Sequence, residues 1–173
     1  VNVYYEYYHA LQESAFIDEE LGDTFEFGDD TRRGPHWFYS GASTFMADYA
    51  VRKRESNNNL APIKEWLKQQ FLYGESLIEQ SGCDEITLKD ISPENCFLLK
   101  FYWGEPAIAY LLTTIDNPNA LNELFYPNLY ELGFKNAFEF TFNRTLEEFY
   151  LEWNSIMSKS IDDRILLIDS FGV

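Results

Sequence analysis

Apolar side chains recur every three or four positions along most of this chain, the spacing of amphipathic helices. Val3, Tyr4, Tyr7, Tyr8, Leu11 and Ala15 mark one face of a first helix. Residues 18–30 hold seven acids, no base, and Gly22 and Gly28, which predicts a loop. A second helix starts near Pro35 and runs through Phe45, Met46, Tyr49 and Ala50 to about Arg54. Proline suits its first turn, and Arg52-Lys53-Arg54 complements its C-terminal end. Asn57-Asn58-Asn59 is a break, and Pro62 opens a third helix with Ile63, Trp66, Leu67 and Phe71. Residues 74–82, bounded by glycines, predict a separate short helix.

Ser92-Pro93-Glu94 predicts an N-cap and first turn for a long apolar helix through Phe97, Leu98, Phe101 and Tyr102. Gly104 and Pro106 kink or restart it before residues 108–112. Pro118 begins a helix with Leu121, Leu124, Phe125 and Leu129 that ends at Gly133, and residues 134–142 form a short one. Thr145-Leu146-Glu147-Glu148 is a capping box for the helix through Phe149, Tyr150 and Trp153. Residues 162–171 predict a last helix. The pattern is that of an all-α chain folded as one domain over residues 1–173.

Composition agrees with a well-packed domain. Hydrophobic residues make up 46% and aromatic residues 18% of 173 positions, which argues against disorder. The net charge of −16 disfavours both nucleic acid and anionic membrane surfaces. No apolar run approaches the roughly 18 residues of a membrane span, so a soluble chain without membrane insertion is expected. Tyr5, Glu6 and Tyr8 stand where a signal peptide needs apolar residues, and the chain has no initiator Met. Cys83 and Cys96 would close a disulfide in an exported protein. Two separate buried thiols are the preferred expectation. The acidic stretch lacks the spacing of a calcium-binding loop and reads as a solvated loop.

Two segments carry candidate chemistry. One is Tyr5-Glu6-Tyr7-Tyr8-His9-Ala10-Leu11-Gln12; the other is Pro35-His36-Trp37-Phe38-Tyr39-Ser40-Gly41-Ala42-Ser43-Thr44-Phe45. The first resembles the zinc-peptidase helix HExxH, with Tyr5 at the first His. The second resembles the segment PxWxxEGxAxY of the gluzincin metallopeptidases, with Ser40 at the ligand Glu. Further on, Tyr102 to Leu111 resembles a frequent Y-x-x-G-x-x-A-x-x-Y-L stretch from Gly104 through Ala107, Tyr110 and Leu111, with Tyr102 one residue out of register. Residues 137–149 resemble A-F…F-G-x-(S/T)-L-E-E-F, with Asn143 at the Gly position. The resemblance covers nearly the whole chain, and the order of the blocks carries it.

The resemblance implies a zincin-like helical domain: the HExxH-type helix plus the C-terminal helical lobe, with the N-terminal β-lobe absent. It makes Glu6 the vestigial general base, His9 the surviving ligand, and Tyr5 and Ser40 the substituted ligand positions. It implies that Glu6, His9 and Ser40 lie close together. A zinc peptidase needs three protein ligands and an open fourth position. One imidazole, a neutral phenol with pKa about 10, and a hydroxyl do not make such a site. The expectation is a catalytically inactive peptidase-like protein, with no cofactor and with an unknown peptide or protein as partner. Its cleft is either a binding surface or filled core, and Tyr5, Tyr8, Trp37 and Tyr102 are the candidate lining. Exported relatives point to the cell envelope or exterior.

Alternatives stand beside this. His9 is a satisfied core residue if it bonds to Glu6 or Ser40. A metal-dependent hydrolase would need a rebuilt site of His9, His36 and Glu6 or Glu13, with zinc as its cofactor. A helical protein-interaction module unrelated to peptidases would hold the two motif helices far apart. Ser40-Gly41-Ala42-Ser43 lacks the flanking glycines and strand-to-helix turn of a nucleophile elbow.

Overall fold

Helices form over most of the segments where the apolar spacing predicts them, but the face expected of the first helix is not, as a whole, the one that packs, since Val3 and Tyr7 are exposed. The computed structural model describes residues 2–14, 27–55, 61–83 and 85–168. Its helices are α1 (Asn2–Ser14), α2 (His36–Glu55), α3 (Ala61–Ser81), α4 (Leu99–Tyr102), α5 (Gly104–Thr114), α6 (Tyr126–Phe142), α7 (Leu146–Met157) and α8 (Ile161–Leu166). A 3-10 turn covers Leu88–Asp90 and a π-helical turn covers Leu121–Phe125. Among the described residues there is no strand, only an isolated antiparallel bridge between Ser92 and Asn95. The fold is all-α, and no described helix is long and apolar enough to cross a membrane.

Helix α2 runs through the middle and packs on α1, α4 and α5. Its sequence explains this: Trp37, Phe38, Ala42, Phe45, Met46, Ala47 and Tyr49 bury on several sides of the helix, not along one stripe. Trp37 is 0% exposed, stacks on Phe149 at 5.3 Å, and donates its indole N–H to the Tyr150 hydroxyl at 3.1 Å. Phe38 meets Phe125, Phe134, Phe138 and Phe142, so the second motif segment is rooted in the aromatic core.

The crossing of α2 and α5 is set by two glycines. A Cβ on Gly41 would lie 2.5 Å from the Gly104 carbonyl carbon, and one on Gly104 would lie 2.6 Å from the Trp37 carbonyl oxygen. The backbones touch, which only glycine permits. Gly41 belongs to the segment around Ser40 and Gly104 to the stretch around residues 102–111, so two blocks of the resemblance meet here.

Several expected boundaries hold. Helix α5 restarts at Gly104. Helix α6 breaks at Gly133, where φ is 70°, which separates residues 134–142 as predicted. The Thr145 hydroxyl accepts from the Glu148 N–H at 3.2 Å, and the Glu148 carboxylate accepts from the Thr145 N–H at 2.8 Å, closing the capping box.

Others need correction. Residues 74–82 are not a separate helix; α3 runs on through Gly74 to Ser81, and the Trp103 indole fills the space beside that glycine. The long helix expected after Ser92 is absent. Ser92 and Asn95 exchange backbone hydrogen bonds of 3.1 Å in a tight turn, the Ser92 hydroxyl bonds Glu94 instead of capping, and Cys96 has φ 51°. A left-handed residue stops a helix from propagating, so α4 starts only at Leu99. Cys83 and Cys96 are not separate thiols. The turn returns the chain to the end of α3 and they form a disulfide, with Cα atoms 6.0 Å apart. Residues 15–26, 56–60 and 169–173 lie outside the described residues. Most of the acidic loop, the asparagine break and the end of the last predicted helix fall there.

One buried acid has a testable consequence. Glu105, in the first turn of α5, is 2% exposed, and one of its carboxyl oxygens has no hydrogen-bond partner. Burial pushes its pKa well above the usual carboxylate range, Asp48 adds to this, and Arg52 opposes it. The folded state therefore holds this proton to higher pH than the unfolded chain. Stability from it is fully present below the unfolded pKa of about 4.3 and is lost as pH rises through the folded value. Glu105→Gln, which stays neutral, is expected to gain on the wild type as pH rises. Denaturation curves at pH 5 and pH 8 check this, and an unchanged difference between the two proteins would contradict it.

Candidate functional site

The α1–α2 contact is built from residues one turn apart. On α1, Tyr5, His9 and Gln12 share a face. The Tyr5 ring meets the His9 imidazole edge-on, with centroids 4.3 Å apart. On the other side, His9 lies against the Tyr39 ring at 5.0 Å. His9 Nε2 is 3.4 Å from Ser43 Oγ, a long contact, and that hydroxyl also donates to the Ser40 carbonyl at 3.0 Å. His9 is thus partnered by Ser43, one turn beyond Ser40, and not by Glu6 or Ser40 as the sequence suggested. Ser43 follows Ser40 by three positions, so it reaches the facing helix one turn further along.

Two polar ties fix this geometry. The Gln12 amide is buried and donates to the Tyr39 carbonyl at 2.9 Å and the Tyr126 hydroxyl at 3.0 Å, joining α1 to α2 and α6. Glu13 accepts a bidentate pair from the buried Arg33 at 2.8 and 2.9 Å, and the Tyr39 hydroxyl at 2.5 Å.

Burial dominates the electrostatics. It holds His9 below its ordinary pKa despite the nearby Glu6 and Glu13 carboxylates, so the imidazole is neutral at pH 7. It raises the Tyr5 phenol, with Glu6 adding to the effect, so the phenol is neutral at pH 7. Tyr39 is likewise raised by burial and by Glu13.

His36 opens α2 but turns elsewhere. It stacks on Phe27 at 4.0 Å and meets Phe97 edge-on at 5.5 Å. Burial lowers its pKa, and the Lys100 charge lowers it further. Among the described residues, no three His, Cys, Asp or Glu side chains come together in a way that could hold a metal ion. Glu13, a ligand of the rebuilt site, has its oxygens committed to Arg33 and Tyr39. The residues present do not fit zinc.

The other lining candidates disperse. Trp37 is core, not cleft, because α2 turns it toward Phe149. Tyr8 faces a different groove, a cavity of about 520 Å³ shared with Tyr7, Leu11, Ser14, Asn122, Tyr126 and Pro127. Tyr102 lies beside Tyr73 at 5.9 Å, on the α3 side. Only Tyr5 stands at His9. Of the side chains around the site, Arg33, Tyr39 and Lys100 were not singled out by the pattern, and Ser43 was named only within a rejected nucleophile elbow. Tyr39 and Ser43 lie within the second motif segment and carried some signal; Arg33 and Lys100 carried none. No family model, curated protein or solved structure matches this chain.

Proposed function

We propose that this is a catalytically inactive peptidase-like domain of gluzincin type, whose former zinc cleft now serves as a binding surface for a peptide or protein. The observation that supports this reading is the contact between α1 and α2. His9 packs on the turn of α2 that holds Tyr39, Ser40 and Ser43, where a parent enzyme would bring its ligands together. Consecutive helices commonly pack together, so the support lies in the register of the contact, which sets His9 against the turn around Ser40. The donor set supports inactivity: one imidazole wedged between phenol rings, a neutral Tyr5, and hydroxyls at the remaining positions. Three protein ligands are the working minimum for a catalytic zinc. Glu6, at the position of the general base in the parent pattern, is exposed at the edge of this site.

Zinc stoichiometry tests the reading. After dialysis against micromolar zinc, elemental analysis is expected to find far less than one equivalent, and peptide substrates are expected to survive incubation. Stoichiometric zinc that disappears in His9→Ala would instead support a metal-dependent hydrolase.

A further inference from the structure

Thirteen lysines and arginines face twenty-nine acids in this chain, so a partly buried cation without a carboxylate partner is unexpected. Lys100, on α4, is such a cation. It is half-buried, and its ammonium sits 3.5 Å from the centre of the Phe97 ring and 4.8 Å from that of Phe101. Among the described residues no carboxylate forms an ion pair with it. The rings hold it in place by their quadrupoles but do not neutralise it. Desolvation without a counter-charge leaves its pKa lowered.

Lys100 is also close enough to act on both histidines, lowering His36 and, more weakly, His9. A chain of rings joins them. Phe97 meets His36 at 5.5 Å, His36 stacks on Phe27 at 4.0 Å, Phe27 meets Tyr39 at 5.3 Å, and Tyr39 lies against His9 at 5.0 Å. The result is an aromatic wall with an unneutralised ammonium at one end and neutral imidazoles along it. Among the described residues, Glu13 is held by Arg33, while Glu6 and Glu94 are exposed and act on His9 and His36 from the solvent side without pairing to Lys100.

We infer that Lys100 anchors a subsite for an organic monocarboxylate flanked by an aromatic or apolar group. The C-terminal carboxylate of a peptide is the form that the proposed binding cleft would meet, and to that extent the inference rests on the reading above. Ammonium and imidazole N–H groups donate to a carboxylate in charge-assisted hydrogen bonds. The site offers one full positive charge, and the −16 chain repels multiply charged anions, so a monoanion is favoured over a phosphate group. The rings supply a surface for the neighbouring side chain.

N-acetyl-L-phenylalanine and N-acetyl-L-phenylalaninamide differ in carrying a carboxylate or a neutral carboxamide and serve as probes, titrated into the full chain by NMR. The acid is expected to bind at least about tenfold more tightly than the amide, a difference near 1.4 kcal/mol. Lys100→Gln is expected to equalise the two probes, and Lys100→Arg to keep the preference. Lys100 is half-exposed, and matched melting curves establish that both variants fold. Equal binding of acid and amide, no binding of either at millimolar concentration, or an unchanged preference in Lys100→Gln each overturns the subsite. The two proposals fail separately. Zinc-dependent peptide cleavage alongside an acid preference would sink the inactive reading alone, and absence of both would sink the subsite alone.

Discussion

Gly41→Ala is expected to destabilise the protein by about 3 kcal/mol, the upper end for overpacking a filled interior. The direction is informative, because glycine to alanine within a helix ordinarily gains up to about 1 kcal/mol. Here the added methyl would stand 2.5 Å from the Gly104 carbonyl carbon and 2.7 Å from its Cα and oxygen. Those are backbone atoms, so no side chain can swing aside. Relief requires α2 and α5 to separate, and both carry core residues along their length. Gly104→Ala meets the Trp37 carbonyl in the same crossing, so the double variant should lose less than the sum of the singles. Urea denaturation measures all three. A neutral or stabilised Gly41→Ala would mean that the helices do not touch.

Removing the disulfide is expected to have the second large effect. Cys83 and Cys96 lie 13 residues apart, and closing a loop of that size restricts the unfolded chain by about 3 kcal/mol at 25 °C. The Cys83→Ser, Cys96→Ser double variant should lose about that much stability, and the wild type in reductant should fall to the same level. A denaturation midpoint that ignores reductant would contradict the pairing. Phe97 follows Cys96 directly and packs on His36 and Lys100, so the same bond positions one wall of the proposed subsite.

The fold was largely legible because its signals are local. A capping box at Thr145, a break at Gly133 and a restart at Gly104 each depend on a few neighbouring residues, and each stands where it was expected. The errors share a different cause. Ser92-Pro93-Glu94 has the local form of a helix start, but the chain there bends to bring Cys96 to Cys83, a contact no local pattern reveals. Gly74 looks like a breaker, yet α3 runs through it with the Trp103 indole in the space beside it. The candidate site divides the same way. The resemblance singled out His9 and the segment around Ser40, which meet. The mistaken partners of His9, the burial of Trp37 and the turning away of His36 depend on helix rotation, which sequence spacing sets only to within a turn. Lys100 is informative through the absence of a partner, and sequence cannot show an absence in space.

Helix α1 bears the motif yet contributes no apolar side chain to the fully buried core of the described residues; Tyr8 and Leu11 only lean against it. Val3, Glu6 and Tyr7 face outward, and the helix is secured near its C-terminal end by Gln12 and Glu13. Folding therefore places little demand on position 6, and less on position 5, where the Tyr5 ring packs on His9, than on the crossing of α2 and α5. A lineage could exchange the side chains there at a smaller thermodynamic penalty than at Gly41 or Gly104. Chemistry carried on so loosely constrained a helix is open to neutral drift, whereas the scaffold beneath it is not.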